Sequence, residues 1–194
     1  MSKSLKNFFT IRDVLKNYDG ETLRYFLISS HYRSPLNYSK TNIDGAQSAL
    51  KRLYNAINGL NKKVDDLTLI DTSFEERFNS ALNDDFNTPM ALSILFEIAK
   101  QINIERTNNP NKASALSIQL VELGNYLGIL EYDADEYLKQ GSELSESDIS
   151  KKIEQREEAR ISKDFAMSDQ IRDELFELGI ILEDSVNGTT WRRK

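Results

Sequence analysis

The chain has 194 residues, of which 39% are hydrophobic and 29% are charged, and it contains no cysteine. These values fit a globular, helix-rich protein of one or two domains, and they exclude a disulfide framework and a thiolate metal site. With His31 as the only histidine and no apolar run of membrane-spanning length, the sequence also argues against a zinc site and a membrane protein.

The net charge of −6 is unevenly distributed along the chain. Residues 1–63 hold 11 Lys and Arg against 4 Asp and Glu, a net of +7. Residues 64–150 hold 5 against 17, a net of −12, and residues 151–194 hold 9 against 10, a net of −1. The basic first third can therefore bind a polyanion, whereas the middle is typical of a solvated acidic helical region. No basic and apolar leader follows Met1, so we expect a cytoplasmic protein.

Capping residues and apolar spacing predict three helices in the first 60 residues. Thr10, with Asp13 three residues later, opens a short helix. Asp19 caps a second helix, which ends before Pro35 because a residue preceding proline disfavours the helical conformation. Ser39 opens a long third helix. Its apolar residues recur at helical spacing: Ile43, Ala46, Leu50, Leu53, Tyr54, Ile57 and Leu60.

A second group of helices follows a polar linker at residues 61–72. Ser73 is predicted to cap its first helix. Thr88-Pro89 is predicted to start the next, with Thr88 as the cap and Pro89 at the first helical position. The polar run from Asn108 to Asn111 ends that helix, and a further one stops near Gly128. The apolar stripes of these helices predict a core.

A polar boundary at residues 139–147 precedes a small C-terminal unit. One helix runs from about Asp148 to Ser162, and a second is capped by Asp164 and ends at Gly179. Two short strands flank the turn signal Asn187-Gly188. The predicted fold is therefore mainly α-helical: a bundle, then a small helical domain closed by a β-hairpin.

No set of residues assembles a full active site in the sequence. His31 lacks a periodic carboxylate partner and fits a structural role better than proton transfer. Asp84 and Asp85 precede a helix start, where capping and the helix dipole explain them. A P-loop and a glycine-rich dinucleotide motif are both absent from the 194 residues.

The sequence fits RNA binding better than catalysis, and two segments could contact RNA. Residues 151–172 hold six cations diluted by three glutamates, which fits either an RNA surface or an exposed helix with intrahelical ion pairs. The ending Trp191-Arg192-Arg193-Lys194 could stack on a base and pair with phosphate, or could be a core tryptophan beside a solubilising tail.

Five segments, in order along the chain, resemble one enzyme family. Met1-Ser2-Lys3-Ser4 resembles the KMSKS loop of class I aminoacyl-tRNA synthetases without its first Lys, and Asp19–Phe26 resembles the segment that follows this loop. Three more are similar to cysteinyl-tRNA synthetase: His31–Asn37, Asp84–Pro89, and Gly179–Asp184 together with Gly188–Arg193. The chain is thus identified as a member of that family, as its C-terminal part starting within the KMSKS loop.

The resemblance implies three domains. Residues 1–38 would be the KMSKS remnant and the stem-contact region, residues 39–138 a DALR-type helical bundle, and residues 148–194 the domain that recognises the anticodon. It also implies contacts with ATP phosphates from the loop formed by Met1, Ser2, Lys3 and Ser4, with Lys3 as the charged group.

The resemblance further implies which residues read the GCA anticodon. Arg160, Asp169 and Asp184 align with family residues that hydrogen-bond anticodon bases. Phe165 stands where the family often has Trp, and it could stack on a base. Carboxylates suit such a site because their oxygens accept hydrogen bonds from base N–H groups.

This sequence lacks several features of the family, and their absence limits the function that we expect. Lys6 stands where the family usually has Gly, which changes a tight turn. The nucleotide-binding fold, with its ATP motif and zinc-binding cysteines, lies upstream in the family. ATP and zinc therefore belong to that upstream part, and we expect no cofactor here and no complete catalytic set.

We expect the chain to bind and orient the tRNA for cysteine, to be inactive alone, to be monomeric, and to have the catalytic half as a further partner. One alternative is a stand-alone RNA-binding module, or a non-functional remnant of the synthetase. Another is a related ligase that joins cysteine to a small amine; the anticodon-type ending argues against it.

Overall fold

The computed structural model describes residues 10–61, 69–139, 146–185 and 188–193. Within these ranges the chain forms helices and one antiparallel hairpin, with these bounds: α1 Ile11–Val14, α2 Gly20–Ile28, α3 Lys40–Ile57, α4 Thr72–Asn83, α5 Thr88–Asn108, α6 Pro110–Tyr126, α7 Ala134–Lys139, α8 Glu146–Ile161, α9 Phe165–Glu177, β1 Ile180–Ser185 and β2 Gly188–Arg193. The predicted helical fold with a C-terminal hairpin is confirmed. The chain divides into two compact units, Met1–Ala134 and Asp135–Lys194. The three predicted domain boundaries stay a prediction.

Four predicted N-caps are confirmed by side-chain hydrogen bonds: Thr10, Asp19, Ser39 and Asp164. At α1, Thr10 Oγ1 accepts from the Asp13 backbone N–H at 3.1 Å, and Asp13 Oδ2 accepts from the Thr10 N–H at 3.3 Å. The Lys16 ammonium and the hydrogen bonds from Thr10 lower the pKa of Asp13 to about 2. The capping box thus carries a carboxylate that stays charged, as the positive end of a helix favours.

Two caps lie one or two residues earlier than predicted. Asp71 caps α4, where its Oδ1 accepts from the Ser73 N–H at 3.0 Å, so Ser73 is inside the helix. Asn87 caps α5 by accepting from the Met90 N–H at 3.2 Å, so Thr88 is the first helical residue. The prediction failed because Ser, Thr, Asp and Asn all suit a cap, and two or three such residues are consecutive at each start.

The first unit is a helical bundle with α3, α5 and α6 at its centre. Helix α5 packs against α4, α3 and α6, and α2 packs against α3. The largest side chains buried in this core are Ile43, Leu50, Leu53, Tyr54, Phe78, Ile94, Leu95, Ile98, Ile102, Leu116, Leu120 and Ile129. Most of the predicted apolar stripes are thus core residues, as their helical spacing required.

A buried polar network joins α2 to the segment that follows α6. The Glu21 carboxylate accepts from the Tyr54 hydroxyl at 2.7 Å and from the Glu131 backbone N–H at 2.8 Å. Nearby, Arg24 donates to the Gly128 carbonyl at 2.7 Å. These bonds hold α2 on the bundle, because a buried carboxylate is stable only when its oxygens are satisfied.

The second unit packs α8 and α9 against the hairpin. Its core consists of Ile149, Ile153, Ile171, Leu175 and Ile180, with Leu182 and Trp191 against them. In the hairpin register Leu182 faces Trp191 and Asp184 faces Thr189. Trp191 is therefore part of the core, which favours the structural alternative for this residue. Helix α7 was not predicted, since its six residues give too short a pattern.

Candidate nucleic-acid interface

Asp184 is the centre of a charged cluster at the hairpin of the second unit. It lies on β1, and helix α8 places Arg156 and Arg160 beside it, one turn apart. Both terminal nitrogens of Arg156 donate to it: Nη1 to Oδ1 at 2.9 Å and Nη2 to Oδ2 at 2.8 Å. This fork geometry fixes the orientation of the carboxylate as well as its position.

Two further groups complete the contacts of Asp184. The Thr189 hydroxyl, opposite on β2, donates to Oδ1 at 2.7 Å. Arg160 Nη1 donates to Oδ2 at 3.2 Å. The side chain of Arg156 is only 4% exposed, whereas that of Arg160 is 50% exposed. One arginine is therefore a buried support of the carboxylate, and the other is a surface partner.

Asp184 and Arg156 keep their charges at neutral pH. The Arg156 hydrogen bonds, then the Thr189 hydroxyl, hold the pKa of Asp184 well below its usual range. The hydrogen bonds to Asp184 raise the pKa of Arg156. Within the described residues, Arg156 Nε is buried without a hydrogen-bond partner. The two bonds to Asp184 offset this cost and that of burying the charge.

The remaining predicted residues lie on the first two turns of α9. Phe165 begins the helix and is 62% exposed, and Asp169, one turn later, is also exposed. Lys163 has a φ of +61° where the chain turns from α8 into α9. An exposed aromatic ring is available for stacking, and the carboxylate one turn along is an acceptor on the same helical face.

Sequence reasoning missed Arg156 and Thr189 as part of this cluster. A signal for Arg156 does exist: it follows Ile149 and Ile153 at helical spacing and so lies on the apolar face of α8. A cation on an apolar face needs a buried partner. The pairing of Thr189 with Asp184 requires the hairpin register, which the sequence does not specify residue by residue.

The expectation of intrahelical ion pairs on α8 is only partly right. Lys151 lies 4.0 Å from Asp148 on the same helix. Lys152, however, binds Glu174 of α9 at 2.7 Å, and Arg156 reaches the hairpin. Tertiary partners therefore neutralise cations that the sequence assigned to an exposed helix.

In the first unit the structure corrects the capping role given to Asp85. The Tyr32 hydroxyl donates to Asp85 Oδ1 at 2.8 Å, and Arg33 lies 3.2 Å from the same oxygen. His31 Nε2 lies 3.1 Å from the Asp85 carbonyl oxygen. Asp85 thus ties two family-like segments together and contacts His31, whose structural role stays a prediction.

Met1, Ser2, Lys3 and Ser4, predicted to contact ATP, lie outside the described residues, as does Lys6. In the part of the chain that the structure covers, no group of three or more His, Cys, Asp or Glu could hold a metal ion. Over the same ranges, no helix is long and apolar enough to cross a membrane.

Three protein-family models match the chain. The class I (C) catalytic domain of tRNA synthetases matches residues 1–48, and the DALR domain matches residues 77–131. The anticodon-binding domain of cysteinyl-tRNA ligase matches residues 151–192, which contain the whole Asp184 cluster.

Similar proteins include cysteine–tRNA ligases of three bacteria. That of Methylococcus capsulatus is 52% identical over the whole chain, which covers 43% of the relative. Those of Haemophilus influenzae and Yersinia enterocolitica are each 50% identical, again over the whole chain, which covers 42% of each. The chain therefore spans less than half the length of these relatives.

Proposed function

The chain belongs to the cysteine–tRNA ligase family, and we propose that it is the part of such an enzyme that binds the tRNA for cysteine and reads its GCA anticodon. The observation that carries this proposal is the Asp184 cluster. It presents an oriented, charged acceptor and an exposed arginine inside the segment that matches an anticodon-binding domain.

Base recognition follows from the chemistry of the two kinds of group. A carboxylate offers only acceptors, so Asp184 and Asp169 suit the amino and imino N–H groups of bases. Arg160 offers only donors and suits base carbonyl and ring-nitrogen acceptors. Because Arg156 and Thr189 fix the position of the Asp184 carboxylate before binding, a wrong base leaves polar groups unpaired and is rejected.

Stacking and phosphate contacts supply the part of binding that is independent of sequence. Single-stranded loops splay their bases onto aromatic side chains, and Phe165 is exposed at the start of α9 for this contact. The cations of the basic first third suit the phosphates of the tRNA body. In this scheme the first unit orients the tRNA and the second reads it.

In the whole enzyme the reaction would join cysteine to its tRNA with ATP as the energy source. Lys3 would stabilise charge developing on the phosphates during activation. Zinc would belong to the upstream catalytic part, and none of the described residues of this chain forms a site for it. The chain alone would then be inactive in pyrophosphate exchange, and the enzyme would act as a cytoplasmic monomer.

An equilibrium titration tests the proposal. The full chain is titrated with tRNA for cysteine and with the same tRNA carrying a substituted anticodon base, at one fixed salt concentration. We expect the GCA tRNA to bind more tightly by about 1–3 kcal/mol per substituted base, by analogy with mismatch costs at DNA sites. Equal affinity for the two tRNAs would reject anticodon reading.

A further inference from the structure

The hydrogen bonds of Asp184 use all the acceptor positions that a carboxylate has. An ionised carboxylate offers about four lone-pair sites. Oδ1 accepts from Arg156 and Thr189, and Oδ2 accepts from Arg156 and Arg160. In the RNA-free chain a base therefore finds no open position on Asp184, so one of these four bonds must break before a base can bind.

The four bonds differ in how easily they break. The Arg156 bonds are 2.9 and 2.8 Å long, and they come from a buried side chain that would lose its partner. The Thr189 bond is 2.7 Å long and is held by the strand register. The Arg160 bond is the longest, at 3.2 Å, and its side chain is half exposed, so water or RNA can solvate it after release.

We propose that Arg160 covers one acceptor position of Asp184 until RNA arrives, that a base displaces it, and that Arg156 and Thr189 hold the carboxylate in place throughout. Arg156 is on this view a positioning residue, while Arg160 is an exchangeable partner. The inference rests on the proposed function, since the displacing group is an anticodon base.

Displacement serves selectivity for a physical reason. Arg160 gives up a charge-assisted bond to Asp184 and gains one only if the base presents an acceptor, while Asp184 regains a donor only if the base presents one. A base that offers no donor leaves the Asp184 oxygen without the bond that Arg160 made, whereas water can solvate the released Arg160. The ion pair of the free site therefore sets a threshold that only the correct base meets.

Arginine side-chain NMR on the full 194-residue chain tests the exchange directly. An anticodon stem-loop RNA with the GCA sequence is added to saturation. We expect the Arg160 guanidinium signals to shift and those of Arg156 to stay in place. An unchanged Arg160 signal in the saturated complex would overturn the exchange, while the RNA binding on which the proposed function rests would stand. If the wild-type chain binds no RNA, the proposed function and this inference fail together.

Two substitutions test the positioning role by affinity. Arg156→Lys keeps the charge but cannot donate to both oxygens, and Thr189→Val removes one donor with little change in shape. For Arg156→Lys we expect the preference for the GCA RNA over a substituted anticodon to fall by roughly fivefold or more. Thr189→Val should lower the same preference by less.

The matched control is Lys152→Gln. Lys152 is on the same helix as Arg156 but outside the cluster, and the substitution removes its ion pair with Glu174 of α9. It should leave the anticodon preference unchanged. Thermal unfolding of each variant identifies one that fails to fold. An undiminished preference in folded Arg156→Lys or, if that variant is unfolded, in Thr189→Val contradicts the positioning role.

Discussion

At the scale of single residues, the described part of each unit buries a charged side chain against a short hydrogen-bond network. Glu21 and Arg156 are each 3% exposed. Glu21 is held by the Tyr54 hydroxyl and the Glu131 backbone, and Arg156 by Asp184. Removing a partner from such a group costs more than the bond itself contributes, because the remaining charge stays buried.

Tyr54→Phe should destabilise the first unit by about 2 kcal/mol, the cost of a hydrogen bond to a charged buried group. Burial raises the pKa of Glu21. The protonated form of Glu21 is therefore favoured by folding. The stability that this preference contributes is complete below the pKa of an unfolded glutamate, about 4.3, and is lost as the pH rises through the folded-state pKa. The hydroxyl favours the ionised form, so the difference between variant and wild type should grow with pH across this window.

Urea unfolding of both proteins at several pH values between 4 and neutrality measures this difference. Tyr126→Phe is the matched control, because Tyr126 is 76% exposed on α6 and its hydroxyl lies at the surface. A Tyr54→Phe effect that is constant over the whole pH range would show that Glu21 is not the group that needs the hydroxyl.

At the scale of elements, the end of α6 is shaped by backbone geometry that few residues adopt. Gly128 has a φ of +67° and Leu130 one of +63°. A Cβ on Gly128 would collide with the Arg24 guanidinium, which hydrogen-bonds the Gly128 carbonyl. The turn after α6 and the docking of α2 therefore depend on the same glycine.

Gly128→Ala should lower the free energy of unfolding by about 1–3 kcal/mol, since it adds left-handed strain and displaces Arg24. Gly45→Ala is the opposite case: Gly45 is exposed inside α3, and a Cβ there meets nothing within 4 Å. We expect it to stabilise the chain by about 0.5–1 kcal/mol. Chemical denaturation of the two variants checks both predictions. Changes of the same sign in their free energies of unfolding would contradict them.

At the scale of the whole molecule, the uneven distribution of charge would, on the proposed function, separate phosphate binding from base reading. The first 63 residues carry a net of +7, whereas the last 44 carry −1 and place oppositely charged groups in one cluster. A net positive charge suits binding to phosphates, and a cluster of both signs suits hydrogen bonds to base edges. The affinity for RNA and its specificity should therefore respond to different substitutions.

Arg52→Gln should weaken the binding of every tRNA alike and lower the slope of log affinity against log salt by about 1. Arg52 is exposed on α3, with its guanidinium 5.1 Å from the centroid of the Phe96 ring, beside a groove that Lys100 also lines. Binding titrations at several salt concentrations measure the slope. Lys112→Gln, which removes a cation of the acidic segment paired with Glu105, is the control. If Arg52→Gln changed the anticodon preference without changing the salt slope, Arg52 would not be a phosphate-binding residue.

The sequence by itself determined the helical fold, most of the caps and the hairpin, because these follow from local spacing and turn chemistry. It also determined the family, since the resembling segments lie in order along the chain. It identified Arg160 and Asp184 as candidates through that resemblance, without indicating that they touch.

Only the tertiary structure decided how the candidate site is built. Asp184 meets Arg156 28 positions away and Thr189 across the hairpin, and neither pairing has a local pattern. The same holds for Asp85, which binds Tyr32 from 53 positions away instead of capping a helix. A charged side chain can have any of many partners in the sequence. The fold places Arg156 of α8 against Asp184 of β1, and burial makes that bond obligatory.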